Sequence, residues 1–209
     1  AYVRVLAERF SGRRGWPELP FEKPTGVAEA DDICRNVFIL QAHMFRRMEF
    51  GQEVDWARVI DNDIESRVWM NAHPWMLTLL AAHQQTRDDK YVIHLARLMR
   101  SWYADSPPTF LRTNAQWRTL ETGNRLGQKW PPVLLALADH PVFQRESLYA
   151  MARSAHDHAR YLSMYAAAGG NWLQVESSGL ACAAMLFPEF KIAPALYDVA
   201  MGRLAQVNA

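Results

Sequence analysis

The 209-residue chain is 50% hydrophobic and 22% charged, a balance that suits one globular domain and excludes a disordered or low-complexity protein. Its net charge of +1 supplies no global field for nucleic acid, and no apolar run is long enough to span a bilayer. AYVRVLAERFSGRRG at the start holds no clean secretory signal core, and Cys34 and Cys182 lie too far apart for a zinc-ligand motif.

Hydrophobic spacing is helical throughout, with no period-two stretch long enough to suggest a sheet. A short helix over residues 2–10 runs into SGRRG and the Pro-rich WPELPFEKPTG. Residues 1–27 therefore read as a helix with a connector, and residues 28–209 as the main domain. Asp31 and Asp32 are expected to open the next helix, where the dipole favours acids. Ile33, Val37, Leu40, Met44 and Met48 mark one face of it, Phe38, Ala42 and Phe45 a second, and Gly51 its end.

Residues 65–82 read as helix with a kink or restart at Pro74. After TRDDKY, Asp88 and Asp89 open a helix that stops at ADSPP. Residues 115–129 are helical up to Pro131 and Pro132, which break or kink the run before residues 133–138. The clearest helix covers residues 142–168 and stops at Gly169 and Gly170. Further helices follow over residues 172–186 and 195–206, separated by FPEF. Long helices joined by short Pro and Gly turns make antiparallel pairs, as in a bundle, a solenoid or a toroid.

Two segments carry chemistry. In GGNWLQVESSGL, residues 169–180, Asn171 has two readings. It is a good N-cap, with Gln174 completing a capping box. It is also a neutral amide able to donate to a substrate carboxylate at an electropositive helix start. Glu176 shares a face with Leu173, Leu180 and Ala184, so its carboxylate needs a partner. In WRTLETGNRLGQKW, residues 117–130, Glu121, Asn124, Arg125 and Gln128 form one polar stripe. Glu121 and Arg125 make either an i,i+4 surface pair or the polar wall of a cleft, with Arg125 the natural binder of an acidic sugar. Gly123 and Gly127, four apart, allow another helix to approach closely. The eight Trp residues serve as core fillers or as sugar-stacking platforms. The histidines make no HExxH or comparable pattern, and neither a metal nor a cofactor is called for.

In this order, ADDICRNVF with VDW, ESRVWMNAHPWMLTLLAAHQQTRDDKY, WRTLETGNRLGQKW and ARYLSMYAAAGGNWLQVESSGLACAAMLFPEF resemble the N-terminal domain of the heparinase II/III family of polysaccharide lyases, over roughly residues 28–207. The resemblance implies an all-α incomplete α/α toroid of antiparallel helix pairs. It also implies β-eliminative cleavage of a uronic-acid-containing acidic polysaccharide, heparan sulfate- or alginate-like, and a periplasmic or secreted location. Asn171 matches the family's carboxylate-neutralising Asn. Arg125, Trp172, Glu121, Asn124, Asn71 and His73, all inside the similar segments, become the expected substrate contacts. Trp172 stands where some members carry His. The family's catalytic Tyr and a further His match no position before Ala209, and a β-rich region normally follows this domain. The chain by itself is therefore expected to bind substrate with little or no lyase activity. Two other readings stand beside this one. One is a non-catalytic carbohydrate-binding domain. The other is an inverting hydrolase using Glu121 and Glu176, which needs the two carboxyl groups about 6.5–9.5 Å apart across a cleft.

Overall fold

The computed structural model describes residues 2–11, 26–40, 46–108 and 115–207. Helices α1 (Tyr2–Ser11) and α2 (Gly26–Cys34) lead into a two-stranded hairpin, β1 (Val37–Leu40) and β2 (Arg46–Glu49). Then come α3 (Ile64–Asn71), α4 (Trp75–Thr86), α5 (Lys90–Asp105), α6 (Thr119–Asn124), α7 (Trp130–Leu137), α8 (Pro141–Phe143), α9 (Tyr149–Met164), α10 (Gly170–Leu186) and α11 (Ala193–Val207). The expected connector at residues 12–25 lies outside the described residues.

The hairpin overturns the helix expected from Ile33 onward. Asp31 and Asp32 sit near the end of α2, not at a helix start. Asn36 then adopts φ +58°, a conformation Asn tolerates better than most residues, and VFIL pairs antiparallel with RRME in the register Val37↔Glu49 to Leu40↔Arg46. Val37, Phe38 and Ile39, β-branched or aromatic, fit the pleated surface. The Asn36 side chain fixes the corner, donating to the Gly51 and Gln52 carbonyls and accepting from Arg97. Ala42, Met44 and Phe45 lie outside the described residues.

Pro74 produces a restart. Ala72 caps α3, His73 turns the chain at φ +62°, and Pro74 stands at the N-cap of α4, where its missing N–H costs no helical bond. Pro131 and Pro132 break nothing either. α6 passes through a π-helical turn at Arg125–Lys129 directly into α7, whose first turn holds both prolines. Neither proline can donate to a carbonyl four residues back, and the wider turn accommodates that gap. A second π-helical turn, Gln144–Leu148, joins α8 to α9. α9 ends at Met164, before the expected glycines, and Arg203 of α11 donates to the Leu162 and Ser163 carbonyls left open there.

α10 packs between α6 and α11, with α9 beside it. α1 docks on the FPEF break through Phe10, whose ring meets Phe187 edge-on at 5.5 Å while Phe187 stacks on Phe190 at 4.9 Å. Leu6, Ala7 and Phe10 thus join the main core. No helix among the described residues is long and apolar enough to cross a membrane. Cys34 and Cys182 are free and half-buried. Desolvation pushes the Cys34 thiol up to about 11 and raises that of Cys182, so burial holds both toward the unreactive thiol form.

Candidate functional site

The expected contacts divide between an interior cluster and an exposed helix end. Asn71, His73 and Arg125 are fully buried. Trp56, Trp75, Trp102, Trp117 and Trp130 surround them, each at most 2% exposed. All five indole N–H groups find acceptors: Ser101 Oγ, the Met70 carbonyl, Asn71 Oδ1, the Ser106 carbonyl and His73 Nδ1 respectively. The Asn71 amide donates to the Trp56 and Arg67 carbonyls.

Arg125 holds this cluster together. Its Nε–H donates to His158 Nε2 at 2.8 Å and one terminal nitrogen to the Asn71 carbonyl. The other donates to the Gln116 carbonyl at 2.9 Å and to Thr122 Oγ1 at 3.1 Å. The guanidinium also lies 4.9 Å over the Trp102 ring, a favourable place for a cation. Arg125 is thus no cleft residue. Its N–H donors serve the interior, and Glu121 pairs instead with Arg118, three residues before it.

These bonds settle two histidine tautomers. Arg125 donates to His158 Nε2, so the ring proton sits on Nδ1, 2.8 Å from the Ser154 carbonyl that accepts it. Trp130 donates to His73 Nδ1, so that ring is protonated on Nε2. Desolvation, with the Arg125 charge adding to it, holds both rings well below the usual histidine value. A folded pKa held down means the unfolded chain takes up protons first as pH falls. The stability is therefore complete above about pH 6.5 and is lost below it, by about 1.4 kcal/mol per histidine per pH unit. Lowering the pH from about 7.5 to about 5.5 should cost about 3 kcal/mol, or roughly 6–12 °C in midpoint. His94, drawn down to about 4 by burial, acts in the same direction. A flat thermal-melt profile across that range would contradict neutral buried rings.

The second group lies at the start of α10. Gly170, at φ +71° with open space around it, makes the turn, and Gly169 is the N-cap. Asn171 is thus inside the first helical turn and exposed, so it is not the N-cap that the capping-box pattern suggested. Because a glycine supplies no side-chain acceptor, the first N–H groups of α10 remain available beside the Asn171 amide. Trp172 is 37% exposed. Its ring is backed by Arg118, whose guanidinium carbon lies 5.3 Å from the ring centroid. Arg118, which sequence reasoning did not single out, is gripped by Glu121 at 2.6 and 2.8 Å and by Glu65 at 2.6 and 3.2 Å. Hydrogen bonding to Glu121, then to Glu65, holds its guanidinium above the usual value. Its charge is matched locally, so it acts as the rigid floor beneath Trp172. Asn124 is half-buried at the end of α6, and Gln128 is exposed.

Glu176 is fully buried. Its Oε2 accepts from the Ala167 N–H at 2.8 Å, which ties the segment before Gly169 to the middle of α10. Glu176 is sealed in the core, and Glu121, only 4% exposed, is clamped by Arg118, so neither carboxylate stands free at an open cleft. The inverting-hydrolase reading is therefore set aside.

The architecture is an α/α toroid of antiparallel helix pairs. Within that class, the chain belongs to the family described as Heparinase II/III N-terminus, whose model matches residues 23–208. It is 28% identical over 183 residues to a heparin-sulfate lyase of Pedobacter heparinus, covering 83% of this chain and 28% of the relative. A heparin-sulfate lyase of Bacteroides stercoris is 26% identical over 184 residues, 79% of this chain and 28% of the relative. In three dimensions it is similar to the crystal structure of heparan sulfate lyase from Pedobacter heparinus, with TM-score 0.83 and 21% identity over 98% of this chain and 33% of that one. A heparinase III with methylated lysines gives TM-score 0.85 and 22% identity over 98% of this chain and 35% of that one. The chain thus spans about a third or less of the length of these relatives.

Proposed function

We propose that this domain is the substrate-binding part of a lyase that cleaves heparan sulfate-type polysaccharide by β-elimination, with Asn171 contacting the uronate carboxylate. The carrying observation is the exposed start of α10, where the Asn171 amide, available backbone N–H groups and the Trp172 ring lie together. Abstracting the proton beside a uronate carboxylate builds enolate-like charge on that carboxylate. A neutral amide and a helix N-terminus stabilise this charge without adding a titrating group. Trp172 offers an apolar face to the sugar ring, held by Arg118. The names of the relatives favour a heparan-type glycan over alginate. Arg125, Asn71 and His73 support the binding face from within, and Glu121 acts through Arg118.

Titration of this chain with size-defined heparan sulfate oligosaccharides, monitored by calorimetry, tests the proposal. Asn171→Ala should weaken binding roughly 10- to 100-fold, the worth of one hydrogen bond to a charged group. Trp172→Ala should weaken it up to about tenfold. Assayed alone, the chain should bind without generating unsaturated-uronate absorbance, because none of its residues matches the family's base. In any polypeptide in which this domain supports lyase turnover, Asn171→Ala should lower kcat by about 10²–10³. Equal affinity of parent and Asn171→Ala for every oligosaccharide would overturn the assignment.

A further inference from the structure

The turns after α4 and α7 bring two imidazoles and a carboxylate to one point. His83 is in the last turn of α4, Asp89 caps the start of α5, and His140 caps α8. Arg87, at φ +59°, reverses the chain so that Asp89 faces back toward His83. Asp89 Oδ1 lies 3.1 Å from His140 Nε2 and 3.9 Å from His83 Nδ1, and one ligand atom from each residue lies within 4.8 Å of the others. The imidazole rings stand at 88°, 5.3 Å apart.

We infer that His83, Asp89 and His140 form a binding site for a divalent transition-metal ion of the zinc class. Bonds of 2.0–2.1 Å in a tetrahedral site put ligand atoms about 3.3–3.4 Å apart, so the trio needs adjustments of about an ångström. The exposed Asp89 side chain, 58% accessible, is free to make them. Two imidazoles with one carboxylate favour zinc, cobalt or nickel over the all-oxygen shells of calcium and magnesium. The Asp88 carbonyl, 3.2 Å from His83 Nδ1, or a water supplies a fourth ligand. A bound ion would clamp the α4–α5 turn to the α7–α8 turn. The inference is independent of the lyase proposal, since none of the three residues belongs to the α10 face.

The test is equilibrium dialysis of this chain against Zn²⁺, with metal content read by mass spectrometry, and visible absorption of the Co²⁺ form. One ion per chain is expected, with a melting midpoint raised by roughly 5–10 °C when metal is about 100 times its Kd. Asp89→Asn and His140→Gln should each weaken binding at least about 10- to 100-fold, the cost of altering groups that merely orient a ligand. The exposed Asp89→Asn variant should retain the parent's circular dichroism spectrum, and His156→Gln, outside the cluster, should leave uptake unchanged. No stoichiometric uptake, uptake untouched in both cluster variants, or equal loss in His156→Gln would overturn the site.

Discussion

Replacing Arg125 with methionine should destabilise the domain by about 3–5 kcal/mol, since several buried acceptors lose their donor at about 1–3 kcal/mol each. The loss arises on both sides of the bond. The Asn71 and Gln116 carbonyls and His158 Nε2 lose their donor at sites where, for Asn71 and His158, no solvent reaches. The flexible, unbranched thioether of methionine cannot reproduce the planar guanidinium over Trp102. For a chain of this length the midpoint should fall roughly 6–20 °C. Arg125→Lys should fail as well, because a single ammonium cannot reach acceptors arrayed around a planar fork. A melt in which Arg125→Lys matches the parent while glycan binding collapses would restore Arg125 to the binding surface.

Gly179→Ala should be nearly as damaging, at about 3 kcal/mol, toward the upper end for overpacked cores. A Cβ on Gly179 would sit 2.4 Å from the Gly123 carbonyl oxygen and 2.8 Å from its Cα. Both obstacles are backbone, so no rotamer change relieves them and α6 and α10 must separate. Gly123→Ala meets Glu176 Cα at 2.8 Å and should behave alike, whereas Gly127→Ala, at 3.3 Å from Gly179 Cα, should cost much less. Gly202→Ala in α11 meets nothing within 4 Å and should stabilise by about 0.5–1 kcal/mol through helix propensity. Thermal melts of the four variants check the order. Because the crossing sets where α10 begins, Gly179→Ala should also impair glycan binding. Gly202→Ala should not.

Breaks in the chain were the most legible part of the fold. Pro74, the Pro107–Pro108 pair and the FPEF segment each mark a helix boundary, because a missing N–H and a fixed φ act locally whatever the tertiary context. The spacing of Gly123 and Gly127 correctly announced a close helix approach, although their partner, Gly179, was not read. The β1–β2 hairpin was hidden because four residues are too few to establish period two, and their neighbours mimic a helical stripe.

Exposure was legible only where local geometry decides it. Asn171 and Trp172 follow two glycines and emerge at a helix end. Arg125 was misread because spacing reports which residues share a face, but not whether that face meets solvent or five tryptophans. The π-helical turn that begins at Arg125 also shifts the phase on which the Glu121–Gln128 stripe was drawn. His83, Asp89 and His140 come from turns more than fifty residues apart, and no local pattern joins them.

Substrate binding by this domain requires that the glycan meet the start of α10. An ¹⁵N-labelled sample of this 24.0 kDa chain, titrated with a heparan sulfate oligosaccharide and followed by amide and indole NMR shifts, tests this directly. The largest changes should fall on the Gly170, Asn171 and Trp172 backbone amides and on the Trp172 indole N–H, with the buried Trp102 and Trp130 indoles nearly still. Shifts centred on the cavity lined by Tyr149, Arg153, His156 and Phe190, with the start of α10 unmoved, would contradict it.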